Sequence, residues 1–149
     1  KDPRINILQI PANIFNQSII KSEEIQLFSQ NGGEIHVRSV FLQGLLLMDP
    51  NKIPLHLAKT KIGIIHFQNI AKEININTSH LALMCIIYLL PKSKIIIGID
   101  NICQLKEILK IEQSSYNKSD IKEIVKTCLK YSGDIWDIRS WKNKYLSTK

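Results

Sequence analysis

Apolar residues fall in two alternating patterns along the chain. Short apolar runs occupy residues 5–10 (INILQI) and 94–99 (KIIIGI), a third short stretch, 35–40 (IHVRSV), mixes apolar and polar residues, and the stretches between carry apolar residues at helical spacings. The short runs read as strands and the longer patterns as helices. Residues 5–10 predict a strand buried on both faces, with Gln9 near its carboxyl end and Pro11 as its stop. PANIFNQS reads as a loop. Ser22 is the expected N-cap of a helix with Glu23 and Glu24 in its first turn. Ile25, Leu27 and Phe28 give that helix its apolar face, and Asn31-Gly32-Gly33 ends it. The second strand, 35–40, runs into a long loop, 41–54. Pro54 suits the first turn of a helix over 55–74, with Leu57, Ile62, Ile65 and Ile70 as its apolar positions. Gly63 inside it marks a kink or a close approach. Asn77 or Thr78 caps a helix that Pro91 stops. After the third strand, Asn101 caps the helix ICQLKEILKIE. An amphipathic helix over 119–131 and the tail GDIWDIRSWKNKY complete the chain.

Alternating strands and helices of this length predict right-handed βαβ crossovers and a parallel sheet, hence an α/β fold. Three strands make a poor sheet alone, because both edges expose apolar strands. The expected remedies are further strands from sequence upstream or self-association that covers the edges. The chain opens at Lys1, without methionine, and enters a strand within five residues, so upstream sequence is expected.

Composition narrows the classes modestly. The 149 residues suffice for one domain with a core. The formal charge of +7 allows an anionic partner, but the lysines lie at helix spacing, as on a solvated face, apart from a loose group at Lys142, Lys144 and Lys149. No helix-turn-helix, zinc knuckle or aromatic-basic sheet signature points to nucleic acid. The longest apolar run, 81–90, is far short of a membrane span. Cys85, Cys103 and Cys128 form no metal spacing, and their odd count fits a reducing cytoplasm. His36, His56, His66 and His80 read as structural, and Asp49-Pro50 as a turn.

The stretch HVRSVFLQGLLLMDP carries the most specific signal. Its strand ends in a Gly-containing loop that feeds a helix, the arrangement in which α/β folds build ligand sites. RSVFLQGLLL resembles the seventh strand and loop of the aldo/keto reductases, often aromatic-Ser-Pro-Leu-x-x-Gly-x-Leu. The Arg before the Ser looks most like a bacterial branch linked to polysaccharide biosynthesis. LQIPANIFNQ resembles the sixth strand, whose glutamine precedes a short loop holding an asparagine. IIIGIDNICQLKEIL resembles the eighth strand and following helix, and WDIRSW the terminal Asp-Pro-Arg-x-Trp.

The resemblance implies a fold and a set of contacts. Residues 1–149 would be the carboxyl-terminal portion of a parallel (β/α)8 TIM barrel: about three β/α units, a helix and a tail. The full protein would reduce an aldehyde or ketone, in one version sugar-derived, with hydride from NADP(H), NAD(H) being the alternative cofactor. Gln9 matches the glutamine that bonds the nicotinamide carboxamide. Arg38 stands where an aromatic stacks on the nicotinamide, a role a planar guanidinium can also fill. Ser39, Phe41 and Gln43 match the pyrophosphate loop, with Gly44 letting its backbone approach. Gly98, Ile99 and Asp100 match the phosphate end of the eighth strand. Gln104 replaces an arginine that packs on adenine, Ile108 replaces an asparagine that bonds it, and Glu107 is retained. Asp100 sets a carboxylate where relatives carry a polar or basic group near the ribose 2′-phosphate. The family's catalytic Asp, Tyr, Lys and His come from strands one to four, so no catalytic residue is expected here; Tyr88, Tyr116, Tyr131 and Tyr145 lie in other contexts. The non-enzymatic alternative is a truncated barrel that binds nucleotide weakly or assembles with a partner.

Overall fold

The computed structural model of the chain describes residues 4–111 and 117–142. Three strands, β1 (Ile7–Pro11), β2 (Glu34–Arg38) and β3 (Lys94–Ile95), form one parallel sheet in sequence order. Helix α1 (Glu23–Gln30) joins β1 to β2. Helices α2 (Lys61–Glu73) and α3 (Thr78–Leu89) join β2 to β3. Then come α4 (Ile102–Ile108), α5 (Lys118–Cys128) and α6 (Ile138–Lys142). The sheet is not closed.

Local chemistry explains where most elements begin. The Ser22 side chain accepts from the Ile25 N–H, and Asn101 accepts from the Gln104 N–H at 3.0 Å, so both expected caps are in place. Gly32 takes φ +76° beyond α1, and the Gly33 N–H donates to the Phe28 carbonyl. Asp49 closes its turn onto the Asn51 N–H at 2.9 Å.

Several expectations need correction. β1 is not buried on both faces: Ile10 is buried, but Gln9 is exposed and Ile7 is 53% exposed. Successive side chains point to opposite faces, and only the face of Ile10, Ile35 and Val37 enters the core. β2 ends at Arg38 rather than residue 40, because Ser39 turns to φ +66°. β3 pairs over two residues rather than six. The Ile96 N–H still donates to the Val37 carbonyl, but β3 borders one strand only, so no second ladder holds the chain extended. Residues 55–60 form a 3₁₀ turn, and the α-helix starts at Lys61. Ile64, Phe67 and Ala71 are the buried positions of α2, whereas Ile62 is 70% exposed and Ile65 is also exposed. Leu27 is likewise exposed on α1, leaving Ile25 and Phe28 to pack. The helix after β3 ends at Ile108, short of its expected reach. Tyr116, Tyr145, Lys144 and Lys149 lie outside the described residues.

The tail is a structural part of the core. Trp136 is 1% exposed and stacks on Phe15 with ring centroids 4.0 Å apart; Phe67 meets Phe15 edge-on at 6.1 Å. Gly63 exists for this contact: a Cβ there would lie 2.8 Å from the Trp136 ring, so the glycine marks close packing rather than a kink. Asn13 fastens the tail to the end of β1. Its Nδ2 donates to the Trp136 carbonyl at 3.1 Å, and its Oδ1 accepts from the N–H groups of Phe15 and Asn16 at 3.0 Å each. α3 buries Leu81 through Ile86, as an apolar helix within a core must.

Candidate functional site

A cavity of about 820 Å³ opens beyond the carboxyl ends of β2 and β3. One wall is the loop after β2. Leu42, Leu45 and Leu46 are buried and anchor it, while Gln43, Gly44 and Leu47 stay exposed on the cavity side. Ser39, Leu42, Gln43 and Gly44 all take positive φ, from +54° to +87°. The left-handed conformation costs roughly 1–2 kcal/mol for each non-glycine residue, so the surroundings must hold the loop in shape. Gln68 of α2 does part of this. Its Nε2 donates to the Leu46 carbonyl at 3.1 Å and to the Met48 carbonyl at 2.9 Å.

The opposite wall is built from the segment after β3, from α4 and from the start of α3. The Gln104 side chain accepts from the Asp100 N–H at 2.9 Å, which fixes the turn into α4. Ser79 Oγ donates to the Glu107 carboxylate at 3.0 Å, and His80 Nε2 donates to the Glu107 carbonyl at 2.8 Å. Glu107 therefore ties α4 to the first turn of α3 and lays its negative charge against that helix's positive end. Asn77 and Thr78 complete this wall; the Asn77 side chain makes no cap bond.

Of the residues singled out from sequence, Ser39, Phe41, Gln43, Gly44, Gly98, Asp100, Gln104 and Glu107 line this one cavity. Gln9, Arg38 and Ile99 do not. Gln9 lies on the open sheet face, in register with His36 and so one row with Lys94. Arg38 is half-buried, and its Nη1 donates to Ser39 Oγ at 3.2 Å. Ile99 is exposed outside the cavity. Leu47, Met48 and the α3 start (Asn77, Thr78 and Ser79) were not expected in the site. The sequence marks Asn77 only as a cap, and nothing local reveals that α3 begins beside α4.

The surroundings carry two charge clusters outside the cavity. Glu34 meets Lys94 at 2.9 Å and also bonds His36; these partners, Lys94 first, hold its carboxyl below the usual range. Asp137 is gripped by the Arg139 guanidinium at 2.6–3.0 Å, which lowers the carboxyl and raises the guanidinium; Arg38 adds a smaller pull on Asp137. Among the described residues no group of His, Cys, Asp and Glu could hold a metal ion, and no helix is long and apolar enough to cross a membrane.

Chemically, the cavity offers apolar walls, amide and hydroxyl groups, and the carboxylates of Asp100 and Glu107. Its volume falls in the range of small-molecule and cofactor pockets, about 300–1,000 Å³. That composition fits a ligand with flat apolar parts and hydroxyls. No family model, curated protein or solved structure matches this chain. The functional reading rests on this geometry and on the loop motifs.

Proposed function

We propose that this chain is the carboxyl-terminal part of an aldo/keto reductase-like (β/α)8 barrel and carries much of its nicotinamide dinucleotide site. One observation carries the reading. Residues picked from two separate sequence motifs, the loop after β2 and the segment running from β3 into α4, line a single cavity. The (β/α)-barrel rule puts a phosphate-bearing ligand at this end, at the loops after the last two strands. The one-sided burial of the sheet is in keeping with a barrel wall, whose helices cover only the outer face.

When bound, NADP(H) would supply hydride for an aldehyde or ketone, a small-molecule carbonyl substrate. The residues here would hold and orient it. Ser39 and Gln43 offer polar groups at the strained loop, Gly44 and Gly98 leave room for close approach, and Phe41 with Ile108 offers apolar contact. Gln9 and Arg38 lie outside the cavity, so their nicotinamide roles need the ligand to reach past Ser39 toward β1. The proton donor and its partners would come from the remaining barrel strands, in a cytoplasmic enzyme.

Gly98→Val is a clean test. Gly98 lines the cavity, and a Cβ there meets no atom within 4 Å, so the fold accepts the added bulk at the cavity wall. NADPH binding, followed by cofactor fluorescence, is expected to weaken at least about tenfold. Unchanged affinity in a folded variant would remove the cavity from the account.

The second reading is a non-catalytic module that pairs with further strands. Exposed Ile5 and Ile7 on the β1 side, and Ile96, Ile99, Ile102 and Leu109 on the β3 side, favour it. A stable complex that hides both edges, with no dinucleotide affinity, would decide for it.

A further inference from the structure

The sheet ends on both sides in an unpaired strand, and the two edges differ. On the β1 edge, residues 5–11 carry no charged side chain and stop at Pro11, which has no N–H to donate. The β3 edge reads KIIIGID, Lys94 to Asp100, with a cation at one end, an anion at the other and Ile97 at the centre. Exposure alternates along it. Lys94, Ile96 and Gly98 are exposed, while Ile95 and Ile97 are half-buried and pack on the core. That is the period of an extended chain, although only Lys94 and Ile95 pair with β2. The Ile96 N–H points at β2, donating to the Val37 carbonyl at 2.8 Å. Alternate residues turn their backbone groups to opposite sides, so those of Ile95 and Ile97 point away from β2. Among the described residues the N–H groups of Ile97 and Ile99 meet no backbone acceptor. An apolar edge with free backbone groups and no proline is a template for another strand.

The charge pattern of this edge identifies its mate. A two-fold interface sets each residue against a symmetric counterpart, so the surface must complement itself. Antiparallel pairing of KIIIGID with a second copy, centred on Ile97, does so. Ile97 meets the partner's Ile97, Ile95 meets the partner's Ile99, and these are the residues whose backbone groups face outward. Ile96 meets the partner's Gly98, and Lys94 meets the partner's Asp100 on both sides of the axis. Lys94 is exposed and holds Glu34 at 2.9 Å, and its ammonium keeps further N–H groups for a second carboxylate. Parallel pairing in register would instead set lysine on lysine and aspartate on aspartate. Exposed ion pairs add little affinity, but like charges opposite one another are unfavourable, so these charges choose direction and register. Lys92 does not compete for the same role, because it lies in the turn before β3. Affinity would come from the ladder and from apolar cover. Ile96 and Ile99 are exposed, and the chain runs on into α4, none of whose residues is buried.

We propose that the β3 edge is an interface between two copies of this chain, paired antiparallel about Ile97 so that two three-stranded sheets become one. The pairing lengthens β3 from Ile95 to Ile99, since it supplies the second ladder that the edge lacks. The inference is independent of what the cavity binds. In a complete barrel this edge would meet another strand of the same chain; the dimer is a property of the 149 residues.

The test is sedimentation velocity of the 149-residue chain over a range of concentrations. A dimer is expected by about 100 µM, dissociating on dilution. Asp100→Lys sets like charges opposite each other at both ends of the ladder and should weaken the dimer at least about tenfold. Adding Lys94→Asp to that variant restores opposite charges and should bring the dimer back. Both side chains are exposed, and Asp100 holds Gln104 through its backbone N–H, so the fold does not depend on either. Register is read separately. With Cys103→Ser to remove the exposed thiol, Lys94→Cys with Asp100→Cys should form a cross-linked dimer under oxidised glutathione, whereas Ile96→Cys with Asp100→Cys should not. A monomer at about 100 µM, a dimer indifferent to Asp100→Lys, or open assemblies larger than a dimer would overturn the proposal. None of these outcomes bears on the cavity, whose ligand is tested by cofactor fluorescence.

Discussion

Asn13→Ala tests how the tail is held to the sheet. Asn13 is 3% exposed and makes side-chain bonds to the Trp136 carbonyl and to the N–H groups of Phe15 and Asn16. Truncation removes all of them. The Asn16 N–H keeps the Asn13 backbone carbonyl at 3.2 Å, so its loss is partial. The Phe15 N–H and the Trp136 carbonyl lose a buried partner each, at roughly 1–3 kcal/mol apiece when no water replaces it. The expected destabilisation is about 2–4 kcal/mol. Urea unfolding read by tryptophan fluorescence would show it as a lower midpoint at unchanged slope. Ser18→Ala is the control, since Ser18 is exposed and its hydroxyl bonds the half-buried Asn16 side chain; it should cost under about 0.5 kcal/mol. Asn13→Asp sharpens the test. It keeps the acceptor for Phe15 and Asn16 but turns an oxygen toward the Trp136 carbonyl. Its destabilisation should be greatest where the new carboxyl is ionised and should shrink as protonation restores a donor. A loss below about 0.5 kcal/mol for Asn13→Ala, or a pH-independent Asn13→Asp, would refute the clasp.

Other expectations follow from packing and charge. Gly63→Ala should destabilise by about 1–3 kcal/mol less the roughly 1 kcal/mol that alanine gains in a helix, because its Cβ meets the Trp136 ring; calorimetry showing a net gain would contradict that contact. One thiol, Cys103, should react quickly with a disulfide reagent. Cys85 and Cys128 should stay silent until unfolding, since burial pushes the Cys128 thiol up to about 12 and Cys85 further up; three equal rates would count against the packing of α3 on α5. Asp137 has its folded pKa depressed, so its stabilising pair with Arg139 is present above the ordinary aspartate range and lost as pH falls through the folded value. Asp137→Asn should therefore lower stability near neutrality and converge with the parent in acid; a constant offset at all pH would rule the pair out.

The residues that could be read from sequence are those whose signal is local. Ser22 and Asn101 cap because a side-chain acceptor needs only the next turn, and Gly32 ends α1 because only its own backbone must turn. The faces of α2 were not readable. Its isoleucines occupy both sides, and the helix packs at Gly63 against Trp136 and Tyr131, which lie far along the chain, with Ile64 buried and Ile62 exposed. The loop after β2 carried its glycine openly, but the positive φ of Ser39, Leu42 and Gln43 had no signature, because those residues are held there by buried leucines and by Gln68. The far wall of the cavity was half legible. Asp100, Gln104 and Glu107 follow β3 directly, whereas Ser79 and His80 reach Glu107 only through the packing of α3 beside α4.

The most direct measurement is an amide nuclear magnetic resonance titration of the chain with NADH. The account predicts saturable shifts at Gly44 and Gly98, on opposite walls of the cavity, and at Ser79 and Gln104 beside them. Shifts confined to the open sheet face around Gln9 and His36, or none at saturating ligand in a folded chain, would contradict it.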